Sequence, residues 1–573
     1  MCGIAGILTT NQTTQSESIV QKMLLSTKHR GPDASVFWND TVAYLGHNRL
    51  SIIDLSQFAN QPMQSSCGRF TIVFNGEIYN YLELKSQLRA QTVFKTESDT
   101  EVLLAAYQKW GSQVCEHLNG MFAFLIWDSQ ERSAFICRDR FGVKPFYYTF
   151  FQGAFYFASE IKAFFAAGIP KVENWKVWAN YLSYGTYGMP HETFWSGINQ
   201  IPAGHQTKVV IKEHAALTEA EMELVNWYDF IGRVNAIEPI DEKTLKNQYL
   251  DLLNDSIALR FRADVKVGFN ISGGLDSSAL LALVNKNFPE NKTIEAFTFY
   301  SNNADYDELP WVEEMIALTG NPLNSCLLNV NEMEQLIQEV SYYQDEPYGG
   351  FPTIAYSLIF KEARKKNILV LLDGQGMDEA WAGYDYYRTQ SGFLVQGTSS
   401  SPVRPEALDS EFRKLAEKEI YPEPFSDKLK NLQYRDIFYT KIPRALRFND
   451  RNSMMHSTEL REPFLDYRLV ELAFAQDESI KIKGNQSKWM LRQIVKDYLG
   501  DRISLAPKRP LQTPQREWIK EQLRPIFSHN INEFANKSYM NKEAVLSEWS
   551  DYQNGSQDNS FYIWQWMNLN VVG

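Results

Sequence analysis

Cysteine is scarce in this 573-residue chain, which has five (Cys2, Cys67, Cys115, Cys137 and Cys326) and no CxxC pair. An odd number at irregular spacing excludes a disulfide framework and a zinc site, and predicts reduced thiols in a cytoplasmic protein. Positive charge is also short: Lys and Arg number 57 against 69 Asp and Glu, a net charge of −12. Nucleic acid and anionic membrane are poor partners for such a surface. No apolar run reaches about 18 residues, so no membrane span is expected. The opening MCGIAGILTT lacks the basic flank of a signal peptide. Internal repeats and low-complexity tracts are missing too.

What the chain has is length and aromatic residues. It is too long for one core, and 14% of it is Phe, Trp or Tyr. Up to about residue 211 the pattern is β-rich. FTIVF at 70–74, GMFAFLIWD at 120–128, SAFICRDR from 133, FYYTF and GAFYFAS read as strands, with helices over 79–90 and from Ser98 to Gly111. Residues 212–234 are acidic and unpatterned and read as a linker. Beyond it strands alternate with helices. VKVGFNI, 294–300, 323–329 and 368–372 are strands, and helices fall near 279–286 and 308–319. That rhythm implies a parallel sheet covered on both faces. Residues 405–573 read as mostly helical, and GTSSSP at 397–402 as a mobile loop.

Cys2 combines two reagents if Met1 is removed. Its thiol is a nucleophile, and its α-amine, with an ordinary pKa of about 7.7–8.0, is a base for that thiol. Attack on a carboxamide builds an oxyanion that needs fixed N–H donors. In NGEIYN, the Asn75 side-chain amide and the Gly76 backbone N–H are suited to it. Arg49 suits the α-carboxylate of a free amino acid, and Glu77 and Asp99 suit its α-ammonium.

MCGIAGI, KHRGPDAS, HNRLSIIDLS, QPM, FNGEIYN, ESDTE, LNGMFAFLIWD and RDRFGVKPFYY follow the order seen in class II glutamine amidotransferase domains, which residues 1–211 resemble nearly continuously. The resemblance implies a four-layer α/β/β/α N-terminal-nucleophile glutaminase. Its catalytic residues would be Cys2, Asn75 and Gly76, with Arg49, Asn75, Gly76, Glu77 and Asp99 binding glutamine.

SGGLDSS (Ser272 to Ser278) joins a strand to a helix and turns backbone N–H groups towards a phosphate. It lacks the Lys of the common nucleoside triphosphatase loop. Asp276 in such a loop calls for Mg²⁺ to reconcile its charge with phosphate. The string resembles the pyrophosphate loop of enzymes that split ATP into AMP and pyrophosphate. LLDGQGMDEAWAGY, RNSMMHSTELREPFLD, GNQSKWMLRQ and APKRPLQTPQREW extend the match. With the first half, they resemble the glutamine-hydrolysing asparagine synthetase family over nearly the whole chain.

That resemblance implies a parallel-sheet α/β ATP-pyrophosphatase domain with a helical extension over 235–573, and a homodimer. It assigns Ser272, Gly273, Gly274, Leu275, Asp276, Ser277, Asp373, Gly374 and Lys488 to ATP and pyrophosphate. Gln375, Asp378 and Glu379 fall to the acceptor site, and Asp276 and Asp378 to Mg²⁺. Glutamine, ATP and aspartate are the implied substrates, and ammonia crosses an internal passage to the adenylylated acid.

One loop departs from the pattern. The best-known members read roughly S-G-E-G-S-D-E, where this chain reads Asp373-Gly374-Gln375-Gly376-Met377-Asp378-Glu379. Gln375 can orient ammonia but cannot accept its proton, and Met377 would reshape the loop. Another carboxylate, a sugar acid or a peptide, is therefore an alternative acceptor. A non-catalytic regulatory homologue is a further alternative, although such a protein would be expected to have lost Cys2, Asp276 or the NGE turn.

Overall fold

The computed structural model describes residues 2–10, 15–212, 215–288, 293–389, 401–508, 512–555 and 559–572. The loop expected at 397–402 lies outside these residues, apart from Ser401 and Pro402. In the first half, two six-stranded antiparallel sheets face each other. One runs in the order Asn199–Gln200, Tyr147–Phe151, Ala154–Ala158, Gly3–Leu8, Ala43–Arg49, Ala34–Asn39. The other runs Val225–Asn226, His205–Val210, Ser133–Arg138, Gly120–Asp128, Phe70–Ile78, Met63–Gln64.

The strand alternation builds the layers, because successive side chains leave opposite faces of a strand. From Gly3–Leu8, Ile4 and Leu8 enter the inter-sheet core with Val73, Leu125 and Trp127 of the other sheet. Ala5 and Ile7 point outward, under Val20, Met23 and Leu24 of helix Ser16–Ser26. On the far side Ile72, Phe74 and Phe124 pack beneath Val102 and Leu103 of helix Asp99–Trp110. Ser98 caps that helix by accepting from Thr100 N, and Gly111 ends it at φ +57°. The result is the α/β/β/α sandwich that the resemblance implied. Val225–Asn226, inside the segment read as linker, pairs with the first half's own strand His205–Val210.

The second half carries a five-stranded parallel sheet in the order Leu323–Leu327, Ala296–Tyr300, Val267–Asn270, Val370–Leu372, Glu459–Arg461. Helices Leu275–Asn287, Leu309–Thr319 and Phe351–Lys365 follow or precede these strands, and the rest is helical to Val572. Strand Glu459–Arg461 was not anticipated; it lies within a stretch read as helical, and three residues are too short to show a period. No described helix is long and apolar enough to cross a membrane.

Candidate active sites

Cys2 precedes strand Gly3–Leu8 and is buried, with 8% of its surface exposed. Its backbone N donates to Asn75 Oδ1 at 3.0 Å, and its Sγ approaches the Leu50 carbonyl at 3.9 Å. Burial pushes the thiol pKa up, against the pull of the positive amino terminus. The thiol is therefore protonated at neutral pH and needs a base. Nearby His47 is not one, since burial lowers its pKa to about 3 and its Nε2 lies 3.2 Å from the Phe74 carbonyl.

Asn75 is fully buried on strand Phe70–Ile78. With Oδ1 held by Cys2, its Nδ2 has no hydrogen-bond partner among the described residues. A buried donor left unpaired costs about 1–3 kcal/mol, and beside a nucleophile it is placed for an oxyanion. Gly76 follows at φ +153°. A Cβ there would lie 2.0 Å from the Met121 carbonyl oxygen, so only glycine fits.

Glu77 and Asp99 are also buried and near each other. Asp99 Oδ2 accepts from Ile78 N at 2.9 Å, and burial raises its pKa to about 6. Burial, Glu459 and Asp99 push Glu77 well above the usual carboxylate range, and its Oε2 has no hydrogen-bond partner among the described residues. Arg461, from the edge strand of the second half, stands 3.7 Å from Glu77 and 2.5 Å from Glu459. A pocket with surplus buried carboxylate favours a cation. Arg49 differs from expectation. Its Nη1 donates to Ser56 O (2.6 Å) and Asn60 Oδ1 (2.9 Å), and its Nη2 to the carbonyls of Ile53 and Asp54. It clamps the 53–60 loop beside Cys2, and a bidentate carboxylate contact would have to displace some of these bonds.

In the second half Val267–Asn270 runs into Ser272-Gly273-Gly274, and Gly274 caps helix Leu275–Asn287. Gly273 adopts φ +67°, with a Cβ position 2.9 Å from Trp311, so the loop stays close to its neighbour. Ser277 Oγ accepts from Ser272 N at 3.2 Å and donates to Gly274 O, which fixes the turn. A pocket lined in part by Asn270, Ser272, Thr298, Tyr356 and Asp373 opens at the carboxyl ends of the strands, where ligands bind in open parallel sheets. Tyr356 hydrogen-bonds to Asp373, whose pKa burial raises to about 6.

Lys488 Nζ sits between Asp276 at 2.5 Å and Asp378 at 2.7 Å, and Lys508 lies 2.5 Å from Asp378. Burial alone would lower the Lys488 pKa, but the two carboxylates outweigh it and raise it. Asp276 Oδ1 has no hydrogen-bond partner among the described residues. Gln375 is half-buried on the loop, and Glu379 is buried with Oε1 accepting from Tyr384 at 2.7 Å. Burial and Asp378 raise the Glu379 pKa to about 7. Met377 does not face the loop's opening: it is 1% exposed and packs in the core, with the Tyr249 hydroxyl 3.5 Å from its sulfur.

Two family models match the chain. A glutamine amidotransferase domain covers residues 1–220 and an asparagine synthase domain covers 248–572. The chain belongs to the asparagine synthase family. Glutamine-hydrolyzing asparagine synthetase 1 of Bacillus subtilis is 28% identical over all of this chain and 97% of its own length. Glutamine-hydrolyzing asparagine synthetase 3 of the same organism is 30% identical over 95% and 91%. Amidase chry2 of Gibberella zeae is 25% identical over 90% of each chain. Membership makes the protein a carbon–nitrogen ligase with an amidotransferase domain joined to it.

Of the sequence-predicted residues, the structure brings Asn75 to Cys2, sets Asp99 near Glu77 and places Lys488 between Asp276 and Asp378, while Ser272 and Asp373 line one pocket. Reasoning from motifs missed Arg461, Glu459, Glu462, Arg30, Asp450 and Lys508. Five of these lie inside segments already matched to the family (RNSMMHSTELREPFLD, KHRGPDAS, APKRPLQTPQREW). No spacing rule singles out one charged residue within such a string.

Proposed function

We propose that this enzyme makes asparagine from aspartate, glutamine and ATP. The observation that carries the glutamine side is the pairing of Cys2 with Asn75: one atom of the amide holds the nucleophile's nitrogen and the other is left without a partner. Once Met1 is removed, that nitrogen is an α-amine within its own residue's reach of Sγ. It takes the thiol proton as sulfur attacks the carboxamide, and Asn75 Nδ2 with Gly76 N–H receives the oxyanion. Glu77 and Asp99 attract the α-ammonium of glutamine. Ammonia leaves, and water releases glutamate from the thioester.

On the other side the SGGLDSS turn and Lys488 receive the β- and γ-phosphates while the acid's carboxylate attacks the α-phosphate. Asp276 and Asp378 suit Mg²⁺, because two carboxylates with one orphaned oxygen match an ion that completes its shell with phosphate and water. When bound, that ion offsets the charge of the leaving pyrophosphate. Ammonia then displaces AMP.

Gln375 favours a second reading, in which the acceptor is a different carboxylate. One experiment separates the two: supply candidate acids with ATP and Mg²⁺ and measure acid-dependent pyrophosphate release. Release with aspartate and formation of asparagine is expected. Silence with aspartate alongside turnover of another acid would overturn the asparagine reading.

A further inference from the structure

The carboxylate missing from Gln375 has a counterpart across the loop. Glu462 follows the last residue of strand Glu459–Arg461, whose Arg461 carbonyl accepts from Asp373 N at 3.0 Å. The turn Pro463–Leu465 after it packs against the nucleotide loop, since a Cβ on Gly376 would lie 2.5 Å from Leu465 Cδ2. Glu462 is 4% exposed and lines a cavity shared by the two halves, with Tyr79, Met121 and Val143 from the first half and Arg260 and Leu465 from the second. Its carboxyl makes no hydrogen bond to any described residue.

Each of the other carboxylates around the loop has a partner for at least one of its oxygens. Asp373 is bonded to Tyr356, Asp276 and Asp378 hold Lys488, and Glu379 accepts from Tyr384. Glu462 is within electrostatic reach of Tyr79 on the glutaminase side and of Tyr356 and Asp373, which line the nucleotide pocket. It stands at the seam of the two halves, one residue beyond Arg461, whose carbonyl holds the nucleotide loop at Asp373.

We propose that Glu462 is a catalytic residue of amide formation, receiving the proton that ammonia gives up on attacking the activated acid. This rests on the ligase reading above. The nitrogen lone pair forms the C–N bond as the carbonyl π pair moves to oxygen. Collapse of that adduct breaks the C–O bond to phosphate, and its electron pair leaves with AMP. One N–H proton passes to the Glu462 carboxylate and then to water. The sum is acyl adenylate plus ammonia giving primary amide, AMP and a proton. Burial and Asp373 and Asp139 raise the pKa of Glu462 while Lys144 and Arg260 lower it, with a result of about 8. A base with a pKa near the working pH is suited to proton transfer.

The test uses the full-length enzyme, Glu462→Gln and Glu462→Asp, with whichever acid the wild type activates. Three quantities are read: glutamate from glutamine, acid-dependent exchange of labelled pyrophosphate into ATP, and amide formed from ammonium chloride across pH. In Glu462→Gln, glutamate production and exchange should stay within about twofold of wild type while amide formation falls at least ~100-fold. Its amide rate, measured at a fixed concentration of un-ionised ammonia, should also lose the acidic limb of the wild-type pH profile. Glu462→Asp, which keeps a carboxylate, should recover about tenfold over the Gln variant. Amide formation within about threefold of wild type in Glu462→Gln, an unchanged acidic limb, or an Asp variant no better than Gln would each overturn the assignment. Equal loss of exchange and amide formation would overturn it too, by placing Glu462 in adenylylation. A wild type that shows no exchange with any acid would instead overturn the ligase reading.

Discussion

Arg30 holds both carboxylate oxygens of Asp450, Nη1 to Oδ2 at 2.8 Å and Nη2 to Oδ1 at 3.1 Å, across the seam between the two halves. The same guanidinium donates from Nε to the Cys2 carbonyl at 3.0 Å and from Nη1 to Glu160 at 2.9 Å. All four residues are buried. Asp450 and Glu160 raise the Arg30 pKa against the effect of burial. The backbone of Cys2 is thus anchored, through one side chain, to helix Lys441–Met454 of the second half. Breaking a buried pair leaves an uncompensated charge and costs about 3–5 kcal/mol. Asp450→Asn should lose that amount in urea unfolding and lower glutamate production as well. Unchanged glutamate production would mean that the anchor does not position Cys2.

Asn75 separates the two chemistries. Removing one oxyanion donor typically costs ~10²–10³ in kcat, so Asn75→Ala should slow glutamate formation by that factor. Synthesis from ammonium chloride, which bypasses the glutaminase, should be retained. Cys2→Ala should go further and abolish glutamine use while leaving the ammonia-driven reaction. Loss of both reactions in Asn75→Ala would show a structural role instead.

The amidotransferase domain was legible in the sequence because its motifs are contiguous strings. Asn75, Gly76 and Glu77 occupy one strand, and alternation places Asn75 and Glu77 on the same face. The strand–turn–helix setting of SGGLDSS was legible for a similar reason, since the string spans a single turn. The electrostatic setting was not. Arg461 reaches Glu77 from a strand 384 positions later, and such pairings follow from how the halves dock, which no local periodicity encodes. Arg49 shows the opposite limit: its identity suited a carboxylate, but the 53–60 loop offers it four acceptors.

If Asp99 binds the α-ammonium as proposed, glutamine use has a pH dependence. Its pKa is about 6, raised mainly by burial. Above that value the carboxylate is charged and attracts the α-ammonium; below it the attraction is lost. The KM for glutamine should therefore rise as pH falls through about 6, with a smaller change in kcat. Because the folded pKa lies above the ordinary 3.8, ionised Asp99 opposes folding, so Asp99→Asn should be more stable above pH 6 and should flatten the KM profile. A KM that stays constant between pH 5 and 7.5 would exclude this role (~6 being the midpoint expected from the raised pKa).

The proposed function gives Lys488 two jobs that one substitution can distinguish. It neutralises Asp276 and Asp378, and without it Asp378 would raise the pKa of Asp276 unopposed from that side. Lys508 still reaches Asp378 at 2.5 Å, so Lys488→Ala leaves one of the two carboxylates short of a partner. A loss of about 3 kcal/mol in stability at neutral pH is expected. Mg²⁺, supplied without ATP, should then raise the Tm of the variant more than that of wild type, while NaCl at equal ionic strength should not, because the divalent ion takes the place of the ammonium. With ATP and acid present, pyrophosphate exchange should drop at least ~100-fold, since the developing charge has lost its fixed cation. Glutamate production should be unaffected. If Mg²⁺ stabilised wild type and variant equally, Asp276 and Asp378 would not form the site at which it binds.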